Sequence, residues 1–334
     1  MKILDKKSKI LIIQTAFIGD VILATPIIEV IHNFDSSIRI DMLVRKGNES
    51  ILKDHPKINK LWIWNKKENK TRNQWSLIRE FKKEKYDTII NLQRFISSGL
   101  FTVFSGAKTT IGFDKNPLSF RFTNKVKHNI ENGTHEVERN LSLLQSFIEK
   151  PDGKMRLYPS KEDFDIVKQY QNSKYIVIAP TSVWYTKQYP AHKWIDFINK
   201  VDSDINIYLI GGPDDSNAID DIINKSENNN ISNLCGKLSI LQSAALMKLS
   251  LMNYVNDSAP LHIASAMDAA STAIFCSTTP DFGFGPRSTD GIIIEADINL
   301  KCKPCGLHGR SECKEEHFNC ANSIDTNKLL QRLK

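Results

Sequence analysis

The chain of 334 residues is 41% hydrophobic and 25% charged, ordinary values for a soluble globular protein, and it exceeds the usual size of a single core. No run of 18 uninterrupted apolar residues occurs, which argues against a membrane-spanning helix. The net charge of +7 fits an anionic partner, such as a phosphorylated substrate, an acidic membrane surface or nucleic acid, and equally fits a lysine-rich solvated surface.

The start, MKILDKKSK then ILIIQTAFIG, imitates the basic and apolar regions of a signal peptide, but Asp20, Pro26 and Glu29 break the run. A cytoplasmic location is therefore expected. ILII (10–13) reads as a strand, VILATPIIEVIHNF (21–34) as a helix, IRIDMLVR (38–45) and LWIW (61–64) as strands. WSLIREFKKEKY (75–86) has helical spacing, with Trp75, Ile78 and Phe81 on one side, and DTIINLQ (87–93) is again a strand. A helix over 135–149 precedes KPDGKMRLYPS (150–160), the best candidate linker.

The alternation then restarts. YIVIAP (175–180) is a strand, HKWIDFINKV (192–201) a helix, and NIYLIGGP (206–213) a strand and turn. LSILQSAALMKLS (238–250) is helical, LMNYVNDS (251–258) a strand entering a loop, PLHIASAMD (260–268) a short helix, STAIFCST (271–278) a strand, and LLQRL fits a terminal helix. Apolar strands separated by helices imply parallel sheets. Two α/β domains are expected, residues 1–155 and 156–334, with a cleft between them. Ligands of such sheets bind beyond the C-terminal ends of strands, which selects the loops 14–20, 91–98, 180–187, 211–215 and 256–262.

The first of these loops holds neither a dinucleotide G-x-G-x-x-G nor, anywhere in the chain, a phosphate loop G-x-x-x-x-G-K-[ST], which argues against NAD-dependent redox chemistry and P-loop ATP hydrolysis. It does hold Gly19, free to take an unusual backbone angle or allow a close approach, and Asp20. Asp20 is a helix cap or a general base for an incoming hydroxyl. In VNDSAPLHIASA (255–266), Asp257 and Ser258 end a strand and Pro260 suits a first helical position; the segment is a capped helix or a phosphate site made by a helix N-terminus, with His262 one turn in. In APTSVWYTKQYP (179–190), Thr181 and Ser182 offer hydroxyls, and Lys187 is a solvated lysine or a diphosphate partner. Gly211 and Gly212 of GGPDD read as a tight turn or as room for a ligand.

Taken together and in order, these segments resemble one family. TAFIGDVILATP resembles the T-S-x-x-G-D-V-x-x-x-x-P signature of the lipopolysaccharide heptosyltransferases, family 9 of the glycosyltransferases; NDSAPLHIASA resembles N-D-[ST]-G-P-x-H-L-A-A, and TKQYP resembles K-x-W-P. The resemblance spans about residues 9–320. It implies a GT-B fold, an α/β architecture of two Rossmann-like domains with the active site in the interdomain cleft. It implies inverting transfer of a heptose from an ADP-sugar to the inner core of lipopolysaccharide, without a cofactor or a required metal. Asp20 would be the catalytic base. Thr181, Ser182, Lys187, Gly211, Gly212, Leu238, Asp257, Ser258, Ala259 and His262 would bind the donor, with Leu238 near the adenine. Thr15, Gly19 and Arg94 would serve the acceptor. The first domain would then bind the acceptor and the second the donor. The chain departs from the pattern at Ala259, where the family has glycine, at Ala16 and Phe17, and at Tyr189, so donor or acceptor sugar can differ from the best-known members.

Six cysteines are present, four of them crowded near the end. Cys302, Cys305, Cys313 and Cys320 resemble the cysteine pattern of the second-heptose branch; their spacing, with His308 and His317 nearby, admits a structural zinc site, and otherwise they are reduced thiols of a packed tail. The basic runs Lys66, Lys67, Lys70, Arg72 and Lys82, Lys83, Lys85 are solvated faces or contacts to a lipid A-linked acceptor at the inner membrane. A nucleic-acid partner has no motif behind it. A family member using another nucleotide sugar and a non-catalytic nucleotide- or glycan-binding scaffold are the alternatives.

Overall fold

The computed structural model describes residues 8–130 and 133–333. The chain divides into two compact units, Met1–Tyr158 and Pro159–Lys334. The first unit runs β1 (Lys9–Ile13), α1 (Ile18–Phe34), β2 (Arg39–Arg45), β3 (Lys60–Trp64), α2 (Lys70–Glu84), β4 (Thr88–Asn91), α3 (Ile96–Phe104), β5 (Thr109–Phe113), β6 (Asn124–Val126) and α4 (Glu136–Ser142). The second runs α5 (Lys161–Val167), β7 (Tyr175–Ala179), α6 (Ala191–Asn199), β8 (Asn206–Leu209), α7 (Ser216–Asn224), β9 (Ile231–Asn233), α8 (Ile240–Lys248), β10 (Met252–Asn256), α9 (Ala259–Ala266), β11 (Ser271–Ile274), β12 (Gly291–Ile294), α10 (Asn319–Asn322) and α11 (Asn327–Leu330).

Each unit is built on a six-stranded parallel sheet, in the orders β3-β2-β1-β4-β5-β6 and β12-β11-β10-β7-β8-β9. Read from its own first strand, the second sheet repeats the winding of the first. Ile10, Leu11, Ile12 and Ile13 of β1 are fully buried, as are Ile176, Val177 and Ile178 of β7. Strands covered on both faces need such unbroken apolar runs. In each sheet the direction of winding reverses between the first and fourth strands, β1 beside β4 and β7 beside β10. A crevice opens at that reversal, beyond the strands' C-terminal ends.

In the first unit α2 and α3 lie over a core of Leu11, Ile13, Trp64, Ile78, Phe81 and Phe101. Asp41, fully buried in β2, is satisfied by the Tyr86 hydroxyl (2.5 Å) and the Asn59 amide (2.9 Å). In the second unit the tail returns to the core: Phe318, Cys320, Ala321, Ile324 and Leu329 pack with Trp194, Phe197 and Tyr254.

The expected elements differ in places. Helix α1 starts at Ile18, three residues ahead of the expected Val21, so Gly19 and Asp20 lie inside its first turn. Gly19 is absent from the glycines with left-handed backbone angles, which corrects the expectation of an unusual angle there. The helix expected over 135–149 is regular only over Glu136–Ser142; after it the amides of Leu143, Leu144, Gln145 and Phe147 bond back three residues instead of four and the turn tightens. LLQRL is likewise split between α11 and a single tight turn, Gln331–Leu333.

Candidate functional site

In the first unit the β1–α1 loop is held from three sides. Asn48 Nδ2 donates to the Ala16 carbonyl (2.7 Å), and Lys66 Nζ donates to the carbonyl of buried Thr15 (2.7 Å). Gln93, on the loop after β4, reaches across to the Gln14 side chain. The Phe17 ring is exposed, with the Arg45 guanidinium 4.4 Å above it. At the helix start, the Phe17 N–H donates to Asp20 Oδ2 (3.1 Å), closing the first turn. Asp20 therefore caps α1 while its carboxylate stands at the sheet's winding reversal.

Around Asp20 the charges are dense. Burial pushes the Glu136 carboxyl up; Arg139, hydrogen-bonded to it at 2.8 Å, offsets this, the charge of Asp20 adds to it and Arg94 opposes it. Asp20, Arg94, Glu136 and Arg139 thus share one electrostatic neighbourhood. Helix α4 is fastened there by Asn140, whose amide donates to the Leu23 carbonyl of α1 (3.2 Å). Nearby, Lys66 is pulled down to about 8 by burial first and by Arg45 and Lys70 next.

In the second unit Asn256, fully buried at the end of β10, clamps the loop after β7 at both ends. Its Nδ2 donates to the Pro180 carbonyl (2.9 Å) and its Oδ1 accepts the Tyr189 N–H (2.9 Å). Lys187, within that loop, lies 2.7 Å from Asp257 Oδ2, which also accepts the Thr278 hydroxyl (2.7 Å). The lysine keeps 14% of its side chain exposed and the aspartate 8%. Ser258, Ala259 and Pro260 open α9 beside them, and His262 is buried one turn on. Thr181 and Ser182 are half-buried on the same loop.

The tail supports this arrangement. The Arg310 N–H donates to Thr186 Oγ1 (2.8 Å), the Thr186 N–H to the Arg310 carbonyl (3.1 Å), and the Cys305 N–H to the Ser277 carbonyl (2.8 Å). Gly309 has φ +76°, and a Cβ there would lie 3.0 Å from Thr186 Oγ1 and 3.1 Å from Lys187 Cγ. Only glycine fits the approach without strain.

The structure thus gathers Lys187, Asp257, Ser258, Ala259, Thr181 and Ser182 at one strand-end rim. Gly211 is also required by packing: a Cβ there would meet Cys235 Sγ at 2.8 Å and Asp215 Oδ2 at 2.9 Å, and the Gly212 N–H is held by Asp215 Oδ2 (2.7 Å). Leu238 is half-buried just before α8, whose start is capped by Ser239 and Gln242. All six cysteines are free thiols. Among the described residues no group of three or more His, Cys, Asp and Glu side chains is placed to hold a metal ion, so the zinc spacing of Cys302, Cys305, Cys313 and Cys320 has no such arrangement behind it. No helix of the described residues is long and apolar enough to cross a membrane.

Against known proteins, residues 74–316 match the model of glycosyltransferase family 9 (heptosyltransferase). The chain belongs to that family. It is 30% identical over 297 residues to lipopolysaccharide heptosyltransferase 3 of Escherichia coli strain K12, covering 82% of this chain and 84% of that one. Its fold is similar to that of a family 9 glycosyl transferase from Veillonella parvula (TM-score 0.83, 18% identity, 99% and 97% of the two chains). It is also similar to E. coli heptosyltransferase WaaC solved with ADP-2-deoxy-2-fluoro heptose (TM-score 0.71, 17% identity, 98% and 100%). This family 9 enzyme therefore has the α/β architecture of the GT-B heptosyltransferases.

The sequence motifs give Asn256, Thr278 and Glu136 no part of their own. Asn256 stands in NDSAP, directly before Asp257. Glu136 and Arg139 stand in HEVER, where three-residue spacing on a helix is the available signal for an ion pair.

Proposed function

We propose that this family 9 glycosyltransferase moves a heptose from an ADP-heptose donor to the inner core of lipopolysaccharide, with inversion and without a required metal. The observation that carries the reading is the Lys187–Asp257 contact, 2.7 Å, beside the first turn of α9 at the winding reversal of the second sheet. A lysine and a helix N-terminus together form an anion site, and the leaving group of this reaction is a nucleoside diphosphate. The ADP-heptose analogue bound by WaaC supports the choice of donor. Asp257 orients the lysine, and Thr278 orients Asp257.

On the acceptor side Asp20 takes the proton of the attacking hydroxyl as its oxygen bonds to the anomeric carbon and ADP departs from the opposite face. A positioned base supplies ~10²–10⁴-fold. Arg94, with Gly19 and the Thr15 loop, positions a phosphorylated or carboxylated core sugar. Thr181, Ser182, Ser258, Ala259, His262 and Leu238 complete the donor side, and Gly211 and Gly212 shape the turn next to it. The second unit accordingly acts as the donor-binding domain and the first as the acceptor-binding domain, working at the cytoplasmic face of the inner membrane.

The test is transfer with purified protein, ADP-heptose and a heptose-deficient core lipid, reading the anomeric configuration of the product by NMR. Inverted product formed in the presence of chelator is expected. Retained configuration, or turnover only with an unrelated nucleotide sugar, overturns the reading.

A further inference from the structure

Helix α3 carries no charged residue. Its inner side packs on the sheet, with Phe101 5.0 Å from the Trp64 ring and 5.8 Å from Phe81. Its outer side is apolar too: Ile96 is 57% exposed and Phe104 37%, with half-buried Leu100 and Val103 between them at helical spacing. Phe95, just before the helix, is 64% exposed, and the exposed Trp75 ring of α2 lies 5.4 Å from Phe104. A helix at a water surface ordinarily turns polar residues outward.

Cations frame this stripe. Arg72, Arg79 and Lys82 of α2 are exposed and make no ion pair among the described residues. The acids of the same helix are already occupied, Glu80 by Lys83 and Glu84 by Lys9, Arg39 and Lys60. Arg79 stands one turn beyond Trp75 on the same face, and Lys82 lies beside Gly106 at the end of α3.

We propose that the α2–α3 face of the first unit seats on an anionic lipid surface. Exposed rings and aliphatic side chains enter the acyl boundary, and unpaired lysine and arginine meet the headgroup phosphates. A second copy of the chain fits this face less well, because a two-fold interface brings the same cations against one another. Helix α3 starts at the loop of Arg94, so a bilayer on this face lies next to the acceptor side proposed above. The placement rests on that reading for its purpose, but lipid binding is measured without turnover, so either can fail alone.

The test is flotation of the full chain with vesicles of phosphatidylcholine, alone or with one third phosphatidylglycerol, at low and high salt. The protein should float with the anionic vesicles and not with the neutral ones. The double variant Trp75→Ser, Phe104→Ser should lose about tenfold or more in partition. Arg79→Ser, Lys82→Ser should lose about fivefold per cation and flatten the salt dependence. All four positions are exposed, and far-UV circular dichroism checks that both variants fold. No flotation with anionic vesicles at low salt, or undiminished flotation of both variants, overturns the proposal. So does a wild-type dimer in sedimentation that Trp75→Ser, Phe104→Ser converts to monomer, which would make the face a contact between copies.

Discussion

Asn256 shows how one amide can carry a loop. It is fully buried, and its two ends hold Pro180 and Tyr189 in the loop that presents Lys187. Asn256→Ala leaves a buried carbonyl and a buried N–H without these partners, at about 1–3 kcal/mol each. We expect a drop in thermal midpoint together with a raised KM for donor; an unchanged donor KM would detach the loop from donor binding. Lys187→Ala strips Asp257 of its cation and should lower kcat/KM for donor by about a hundredfold, with acceptor KM unaffected. Initial-rate kinetics in both substrates checks this. At this scale the sequence was informative where a residue type is itself unusual: an aspartate after glycine in an apolar run, or Asn-Asp-Ser before a helix. Glu136 carries no such mark, because its place beside Asp20 comes from the packing of α4 on α1.

Among the elements, the apolar strands β1, β2, β4, β7 and β10 could be read directly, since central strands of a parallel sheet must be apolar on both faces. The edge strands β6 and β9, three residues each with half-exposed patterns, carry too little periodicity to be seen. The true start of α1 was hidden for another reason: its N-cap is Phe17, a residue type with no capping side chain, and the cap is supplied from Asp20 backward. The cysteine-bearing tail was equally opaque, for its backbone bonds to Thr186 and Ser277 have no sequence pattern. Gly309 makes that contact testable. Gly309→Ala imposes about 1–2 kcal/mol of left-handed strain and pushes on Thr186 and Lys187. A modest fall in melting temperature with a several-fold rise in donor KM is expected. Normal donor KM despite lost stability would show that the tail supports the fold alone.

At the scale of the molecule, the first unit carries two buried histidines that tie its stability to pH. His55 and His128, both buried in the first unit, are each pushed down to about 4, chiefly by burial. Their stabilisation is present above the ordinary histidine value near 6.5 and is lost as pH falls from there toward 4, because the unfolded chain takes up protons first. Each contributes roughly 2–3 kcal/mol to that loss. The first unit should therefore lose stability between pH 6.5 and 4, as followed by hydrogen exchange of its amides, and His128→Gln should reduce the slope. An unchanged slope in that variant would contradict this. The proposed transfer needs a carboxylate at one winding reversal to draw a proton while a lysine–helix site at the other receives a diphosphate. Its most direct test is the single-turnover rate of Asp20→Asn with saturating donor and acceptor, on protein shown to be folded and donor-bound. A fall of ~10²-fold or more with donor affinity kept is expected. A rate close to wild type would contradict it.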